Sequence, residues 1–68
     1  MEFKLTEEYI ELISLLKFLR LAESGGHAKI MVEEGLIIRN GEKEFRKRAK
    51  IRAGDMLDVD GTLIRITD

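Results

Sequence analysis

The sequence has no cysteine, no proline and only one histidine. A chain without thiols forms no disulfide bonds and offers no thiolate ligands, and a single histidine cannot build a histidine-based metal site. We therefore expect no metal and no cofactor. The lack of disulfides is compatible with a reducing compartment, and we expect a cytoplasmic location.

Long hydrophobic runs are also missing. No apolar stretch approaches the roughly 20 residues that a membrane span requires, and residues Met1 to Lys4 do not form the apolar stretch of a signal peptide. We therefore expect no membrane partner and no targeting segment. A chain of 68 residues predicts one domain, over 1–68.

Residues that could perform catalysis are scarce. His27 has no serine, cysteine or paired acid at a readable spacing, so we expect neither an enzyme nor a small-molecule substrate. Asp58 and Asp60 alternate with apolar residues, which is typical of the solvent side of a strand rather than of a metal site.

Aromatic residues number only four. Phe3, Phe18 and Phe45 are predicted core residues, which leaves Tyr9 alone. The sequence therefore gives little support to a platform that stacks the bases of single-stranded nucleic acid.

Charge is abundant but unevenly distributed. The net charge of the chain is −1, yet the segment from Lys17 to Arg52 carries a net charge of +5 and the remainder carries −6. Charges more than a Debye length of about 8 Å apart are largely screened from each other, so the acidic remainder does not neutralise a basic face. This asymmetry favours a polyanion as partner, although a solvated surface with clustered charge remains an alternative.

Two helices are predicted from apolar spacing. Over Glu11 to Glu23 the apolar side chains recur at i, i+3, i+4 and i+7, and a second helix follows Ser24 and stops at Gly35, a left-handed C-cap. The predicted core stripes are Leu12, Leu15, Leu16, Leu19 and Ala22 on the first helix, and Ala28, Met31 and Val32 on the second.

The start of the second helix is a candidate anion site. Ser24 is a favoured N-cap residue, and Gly25 and Gly26 leave the first amides unscreened by side chains. A helix start carries about half a positive charge and favours phosphate oxygens, but most such starts simply meet water. Lys29 lies about one turn further along the chain.

The remaining segments read as strands and turns. Alternating residues predict strands over 2–5, 36–39, 42–45, 56–60 and 62–67, with tight turns at Asn40-Gly41, Ala53-Gly54-Asp55 and Asp60-Gly61. The basic run from Arg46 to Lys50 fits two structures. It is either an extended segment with cations about 6.6 Å apart on one side, or a loop with a dense cationic patch.

The ordered set of motifs resembles a known family. Its pieces are Leu15-Leu16-Lys17, Ser24-Gly25-Gly26-His27-Ala28-Lys29, Glu34-Gly35, Arg39-Asn40-Gly41, Arg46-Lys47-Arg48-Ala49-Lys50-Ile51 and Ala53-Gly54-Asp55. From about Ile10 to Ile66 the chain resembles the αL-motif RNA-binding domain named after small-subunit ribosomal protein S4. It is most similar to the small stand-alone YbcJ-like and YaaA-like branch.

The resemblance implies an α+β fold in which two helices, a helix-turn-helix-like pair, pack on a small, mostly antiparallel sheet of about four to five short strands. It also implies RNA binding, possibly of ribosomal or transfer RNA, by the face where the second helix begins and the basic run returns. The implied RNA-binding residues are Lys17, Arg20, Ser24, Gly25, Gly26, His27, Lys29, Arg39, Asn40, Arg46, Lys47, Arg48 and Lys50. Many members of the wider family carry an arginine where this chain has Gly25.

Two non-catalytic alternatives stay open at this point. One is an adaptor that docks an acidic protein through its basic face or a sheet edge, for which an exposed Phe18 or Leu21 would be useful. The other is a DNA-binding helix-turn-helix, which Glu33 and Glu34 on the second helix disfavour because phosphates repel them.

Overall fold

The computed structural model describes residues 1–68 and confirms the predicted α+β class. Two helices pack on one face of the main sheet, and a pair of two-residue strands forms a second, smaller sheet. The elements are β1 Glu2–Lys4, β2 Ile10–Glu11, α1 Leu12–Phe18, α2 Gly25–Glu33, β3 Ile37–Arg39, β4 Glu42–Lys43, β5 Lys50–Ile51, β6 Met56–Val59 and β7 Thr62–Thr67.

The main sheet has the strand order β1-β7-β6-β3-β4. Its neighbours are antiparallel except for β1, which runs parallel to β7 with Phe3 opposite Ile66. The small sheet pairs β2 with β5, so that Ile10 lies opposite Ile51. Because β2 leads directly into α1, this pairing brings the basic segment to the start of the first helix.

The core lies between the helices and one face of the main sheet. Alternation on β6 and β7 buries Leu57, Val59, Ile64 and Ile66, as the sequence predicted. The helix residues that complete the core include Leu12, Leu15, Leu16, Ala28, Met31 and Val32. Neither helix has the length and the apolar character that a membrane span requires.

The first helix is shorter than the prediction of Glu11 to Glu23. It ends at Phe18, and Arg20 follows in the left-handed region with φ 60°. The amide of Arg20 donates to Lys17 O and that of Leu21 to Leu16 O, which is a Schellman motif built without glycine. Ala22 is still buried beyond this turn. The helical spacing of apolar residues therefore continues beyond the end of α1, so it does not reveal where the helix ends.

The second helix begins and ends as predicted. Ser24 is its N-cap, and Gly35, with φ 76°, directly follows the last helical turn. Gly35 N donates to Val32 O and Leu36 N donates to Met31 O, so this end is also a Schellman motif.

The hairpin turns are confirmed, and the two readings of the basic run are resolved. Asn40 and Gly41 both have positive φ, as a type I′ turn requires, and Asp60-Gly61 repeats the pattern. Between β4 and β5 the chain forms a loop, so the extended reading of the basic run is wrong and the loop reading is right. We call residues 46–50 the basic loop, counting Lys50, the first residue of β5, with it.

The aromatic prediction is wrong for two residues. Phe18 is 70% exposed and Phe45 is 59% exposed, while Phe3 alone packs against the core. Phe18 is the last residue of α1, and its ring meets the Phe3 ring edge-on at 5.4 Å between centroids.

Candidate nucleic-acid interface

The start of α2 is fixed by two hydrogen bonds that both involve His27. Ser24 Oγ accepts from His27 N at 3.1 Å, and His27 Nδ1 accepts from Glu23 N at 3.0 Å. The first bond is the usual N-cap contact; the second goes to the amide of the residue before the N-cap, so it differs from a capping box, in which the N-cap amide is bound. Together the two bonds satisfy the amides of Glu23 and His27 and leave those of Gly25 and Gly26 without an acceptor in the chain.

Lys17 lies beside these free amides. A Cβ built on Gly25 would be 3.9 Å from Lys17 Nζ, an ordinary contact distance, so the ammonium group sits next to the helix start. Two N–H donors, the positive end of the helix dipole and a full charge thus converge on one exposed spot. We call Lys17, Gly25 and Gly26 the helix-start cluster.

Other predicted residues surround the helix-start cluster. Lys29 is exposed on α2, one turn further along. Arg20 is exposed as well, but it is not on the helix as predicted, because the left-handed turn carries it past the end of α1. His27 is exposed, with Nδ1 already used, so Nε2 is the ring nitrogen left for a ligand.

The backbone of the basic loop is held against α1. Glu11 provides no side-chain cap for that helix; instead Leu12 N donates to Ala49 O at 3.0 Å and Ile13 N donates to Lys47 O at 3.1 Å. The side chain of Ala49 is buried. Loop carbonyls therefore cap the first helix, which fixes the loop while its cationic side chains point outward.

Arg39 holds the far end of the loop. Its Nη2 donates to Lys50 O at 2.7 Å and to Asp55 Oδ2 at 2.8 Å, and Asn40 Nδ2 donates to Asp55 Oδ1 at 2.9 Å. The Arg39 side chain is only 19% exposed. The polar atoms of Arg39 and Asn40 are thus engaged within the chain, behind the loop.

Glu44 pairs with two of the predicted cations. Its Oε2 accepts from Arg46 Nε at 3.1 Å and from Arg46 N at 3.1 Å, while Oε1 accepts from Arg39 Nη1 at 3.3 Å. The side-chain hydrogen bond from Arg46 is the main cause that holds the pKa of the Glu44 carboxyl below its usual value. The same hydrogen bond raises the pKa of Arg46. Part of the positive charge of Arg46 is therefore neutralised in the free protein.

The remaining loop cations are exposed. Lys47 makes no ion pair, and Arg48 only approaches Glu11, at 4.0 Å. Lys50 lies over the Tyr9 ring, with Nζ 5.0 Å from its centroid. Arg39, Arg46, Arg48 and Lys50 line an open basic depression of about 430 Å³.

The basic loop and the helix-start cluster are separate along α1. The loop contacts the first residues of that helix, whereas Lys17 is on its last turn. Five residues of helical rise correspond to about 8 Å, so one phosphate cannot bridge the two groups. The arrangement suits a ligand that presents several anions in a row.

Sequence reasoning missed two acids in this region. Asp55 and Glu44 hold the cations in place, yet neither was a candidate site residue. Burial raises the pKa of Asp55, but hydrogen bonds from Arg52 N, Asn40 and Arg39 outweigh burial and lower it overall. An isolated glutamate beside a run of cations was the only available signal for Glu44. The chain has no group of three histidines or acids that could hold a metal ion.

The chain is similar to proteins of a known family. A model of the S4 domain family matches residues 3–67. "Putative RNA-binding protein YbcJ" of Escherichia coli (strain K12) is 40% identical over 58 residues, which are 85% of this chain and 83% of that protein. "Probable ribosome maturation protein RlbA" of Bacillus subtilis (strain 168) is 37% identical over 54 residues, 75% of this chain and 76% of that protein.

A solved structure agrees with the fold. The solution structure of YbcJ from E. coli, described as having an αL motif involved in RNA binding, matches with a TM-score of 0.74 and 37% identity. The match covers 98% of this chain and 86% of that one.

Proposed function

The chain belongs to the S4 domain family, as the sequence predicted, and we propose that it is a non-catalytic protein that binds structured RNA. Residues 1–68 act in this proposal as one RNA-binding domain, in the cytoplasm, where RNA is available. The similarity to YbcJ, a protein named for RNA binding, supports the choice of RNA over a DNA or protein partner.

The single observation that carries the proposal is the fixed basic loop. Its backbone is tied to α1 and to Arg39, whereas Lys47 and Arg48 are exposed and carry no close ion pair. Cations held on a rigid backbone lose little conformational freedom on binding and match a fixed arrangement of phosphates. Such a surface recognises the shape of a folded RNA better than a flexible single strand.

The helix-start cluster supplies the second contact. The amides of Gly25 and Gly26 bind one phosphate, with Lys17 beside them, and the basic loop binds neighbouring phosphates. Ser24 and His27 position the amides, and Arg20 and Lys29 add charge at the border. Arg39, Asn40 and Arg46 act in this proposal mainly by holding the loop, because their polar groups are engaged within the chain.

Ribosomal RNA is the first RNA class to test. The B. subtilis relative is named as a probable ribosome maturation protein, and ribosomal RNA offers many folded, phosphate-dense surfaces. Transfer RNA is the second class.

We expect Lys47→Glu combined with Arg48→Glu to weaken binding to structured RNA at least about tenfold and to reduce the salt slope of log K by about 1.5. Both changes remove phosphate contacts from the loop and add repulsion. Fluorescence anisotropy against a ribosomal RNA hairpin, a transfer RNA, a single-stranded RNA and a duplex DNA, each at several salt concentrations, measures both quantities.

The matched control is Lys43→Glu combined with Arg65→Glu. These residues are exposed on the main sheet and change the net charge equally, so we expect a much smaller loss of affinity. Equal losses in the two double variants, or tighter binding to duplex DNA than to structured RNA by the wild type, would contradict the proposal.

A further inference from the structure

The outer edge of β1 is unpaired. β1 lies at the end of the sheet and pairs with β7 alone, where Met1 O accepts from Arg65 N and Leu5 N donates to Thr67 O. Alternate residues of a strand direct their backbone groups to the same neighbour, so Met1, Phe3 and Leu5 use theirs on β7. The amide and carbonyl groups of Glu2 and Lys4 therefore point away from the sheet.

An aromatic pair lies beside this edge, in which Phe18 is exposed and Phe3 is partly buried. Phe18 is 70% exposed, with its ring against Phe3, at the border of an open groove of about 580 Å³ that runs along β1. Phe3 and Phe18 are hydrophobic residues next to unpaired backbone groups, a combination typical of a contact surface. The proposed RNA contacts use neither feature.

The charges on the edge are self-complementary. Glu2 and Lys4 flank Phe3, one residue on each side. If two copies of β1 pair antiparallel with Phe3 opposite Phe3, each Glu2 lies opposite a Lys4 of the other copy. These are also the residues whose free backbone groups can exchange hydrogen bonds in that register. Opposite charges at such positions stabilise strand pairs.

We propose that β1 is a dimerisation edge, at which it pairs antiparallel with β1 of a second copy of this chain about a two-fold axis at Phe3. The two main sheets then form one continuous sheet, and both Phe3–Phe18 pairs lie on the same face of it. Charged residues on an edge usually discourage pairing, but here they select one register and one orientation.

The proposed interface is small, so the dimer should be weak. A stable interface buries about 800 Å² per partner, more than a three-residue strand and one aromatic ring can provide. The expected dissociation constant is therefore on the order of 100 µM. Sedimentation velocity of the wild type from about 10 µM to 1 mM should show a reversible rise to the dimer value.

Charge exchange tests the register directly. Glu2→Lys and Lys4→Glu each place like charges opposite each other, and each should raise the dissociation constant about tenfold. Mixing the two variants restores opposite charges in a heterodimer, and the combined variant Glu2→Lys/Lys4→Glu restores them in a homodimer. Both should return to within about threefold of the wild type.

Lys43→Glu, on the edge strand at the other end of the sheet, is the matched control and should leave self-association unchanged. Amide exchange adds a site-specific readout, because the Lys4 amide becomes protected only on pairing. A wild type that stays monomeric at 1 mM would overturn the proposal. So would association that Lys43→Glu weakens as much as Lys4→Glu does, or two single variants that do not associate when mixed.

Discussion

At the scale of single residues, Asp55 joins segments that are far apart in the sequence. Its carboxylate accepts hydrogen bonds from Arg39, Asn40 and Arg52 N, and so ties the β3–β4 turn to the turn before β6. The Asp55 side chain is 14% exposed and that of Arg39 is 19% exposed, so water screens this ion pair only partly. The ion pair of Arg39 and Asp55 thus lies behind the proposed interface and supports it, rather than forming part of its exposed surface.

We expect Asp55→Asn to lower the free energy of unfolding by about 2 kcal/mol, because it removes the nearer of the two carboxylates that pair with the half-buried Arg39 guanidinium and leaves only Glu44. Asp60→Asn is the control. Asp60 is exposed with φ 49°, a conformation that asparagine also adopts, and its replacement should change stability by less than about 0.5 kcal/mol. Urea unfolding monitored by circular dichroism measures both. Equal stability of the Asp55 variant and the wild type would contradict this role.

At the scale of elements, the two helices owe their positions to their ends. The start of α1 donates to loop carbonyls, and its end is a Schellman motif with Arg20 in the left-handed region. The start of α2 is capped by its own Ser24. Since α1 has only seven residues, its caps and its packing, rather than its helix propensity, keep it folded.

We expect Ser24→Ala to lower the free energy of unfolding by about 1 kcal/mol, because His27 N loses its acceptor. The change should also weaken RNA binding, since the amides of Gly25 and Gly26 are less well fixed. Ser14→Ala, inside α1, should be neutral or slightly stabilising. Thermal unfolding and anisotropy on the two variants separate the effects. A stable Ser24→Ala protein with wild-type affinity would refute the capping argument.

At the scale of the whole molecule, the basic loop and the β1 edge lie on different parts of the surface. The basic loop lies beside the start of α1, and the carboxylates of Glu44 and Asp55 hold it in shape. The edge that carries Glu2 and Lys4 belongs to β1, at the opposite end of the main sheet from β4. Repulsion among the loop cations is offset by Glu44 and Asp55, so stability depends on their ionisation.

We expect the free energy of unfolding to fall as the solution is acidified below about pH 5. The pKa values of Glu44 and Asp55 lie below their usual values of 4.5 and 3.8 in the folded chain, so the unfolded chain binds these protons first. Their stabilisation is complete at neutral pH and is lost as the pH falls through the lowered pKa values. Urea unfolding at pH 7, 5, 4 and 3 measures the loss.

Glu44→Gln removes one of the two groups, so its stability should depend less on pH over that range. Glu34→Gln changes an exposed carboxylate that has no ion pair and should keep the wild-type dependence. A Glu44 variant with the full wild-type dependence would show that other groups control acid unfolding.

The sequence alone determined the features that depend on local chemistry. Positive φ at Asn40-Gly41 and Asp60-Gly61, the caps at Ser24 and Gly35, and the alternating core residues of β6 and β7 all follow from side chains within a few positions of one another. The motif order also sufficed to place the chain in its family.

Only the tertiary structure decided the features that depend on distant partners. These are the parallel pairing of β1 with β7, the β2–β5 pair, the end of α1, the exposure of Phe18 and the ion pairs of Arg39 and Arg46. A strand pattern states which face is apolar but not which neighbour it meets, and a cation in the sequence does not reveal whether an acid lies beside it in the fold. The candidate site therefore contains two groups of cations, those that are exposed and those that form ion pairs and hold the loop in place. The sequence shows the total number of cations but not which group each belongs to.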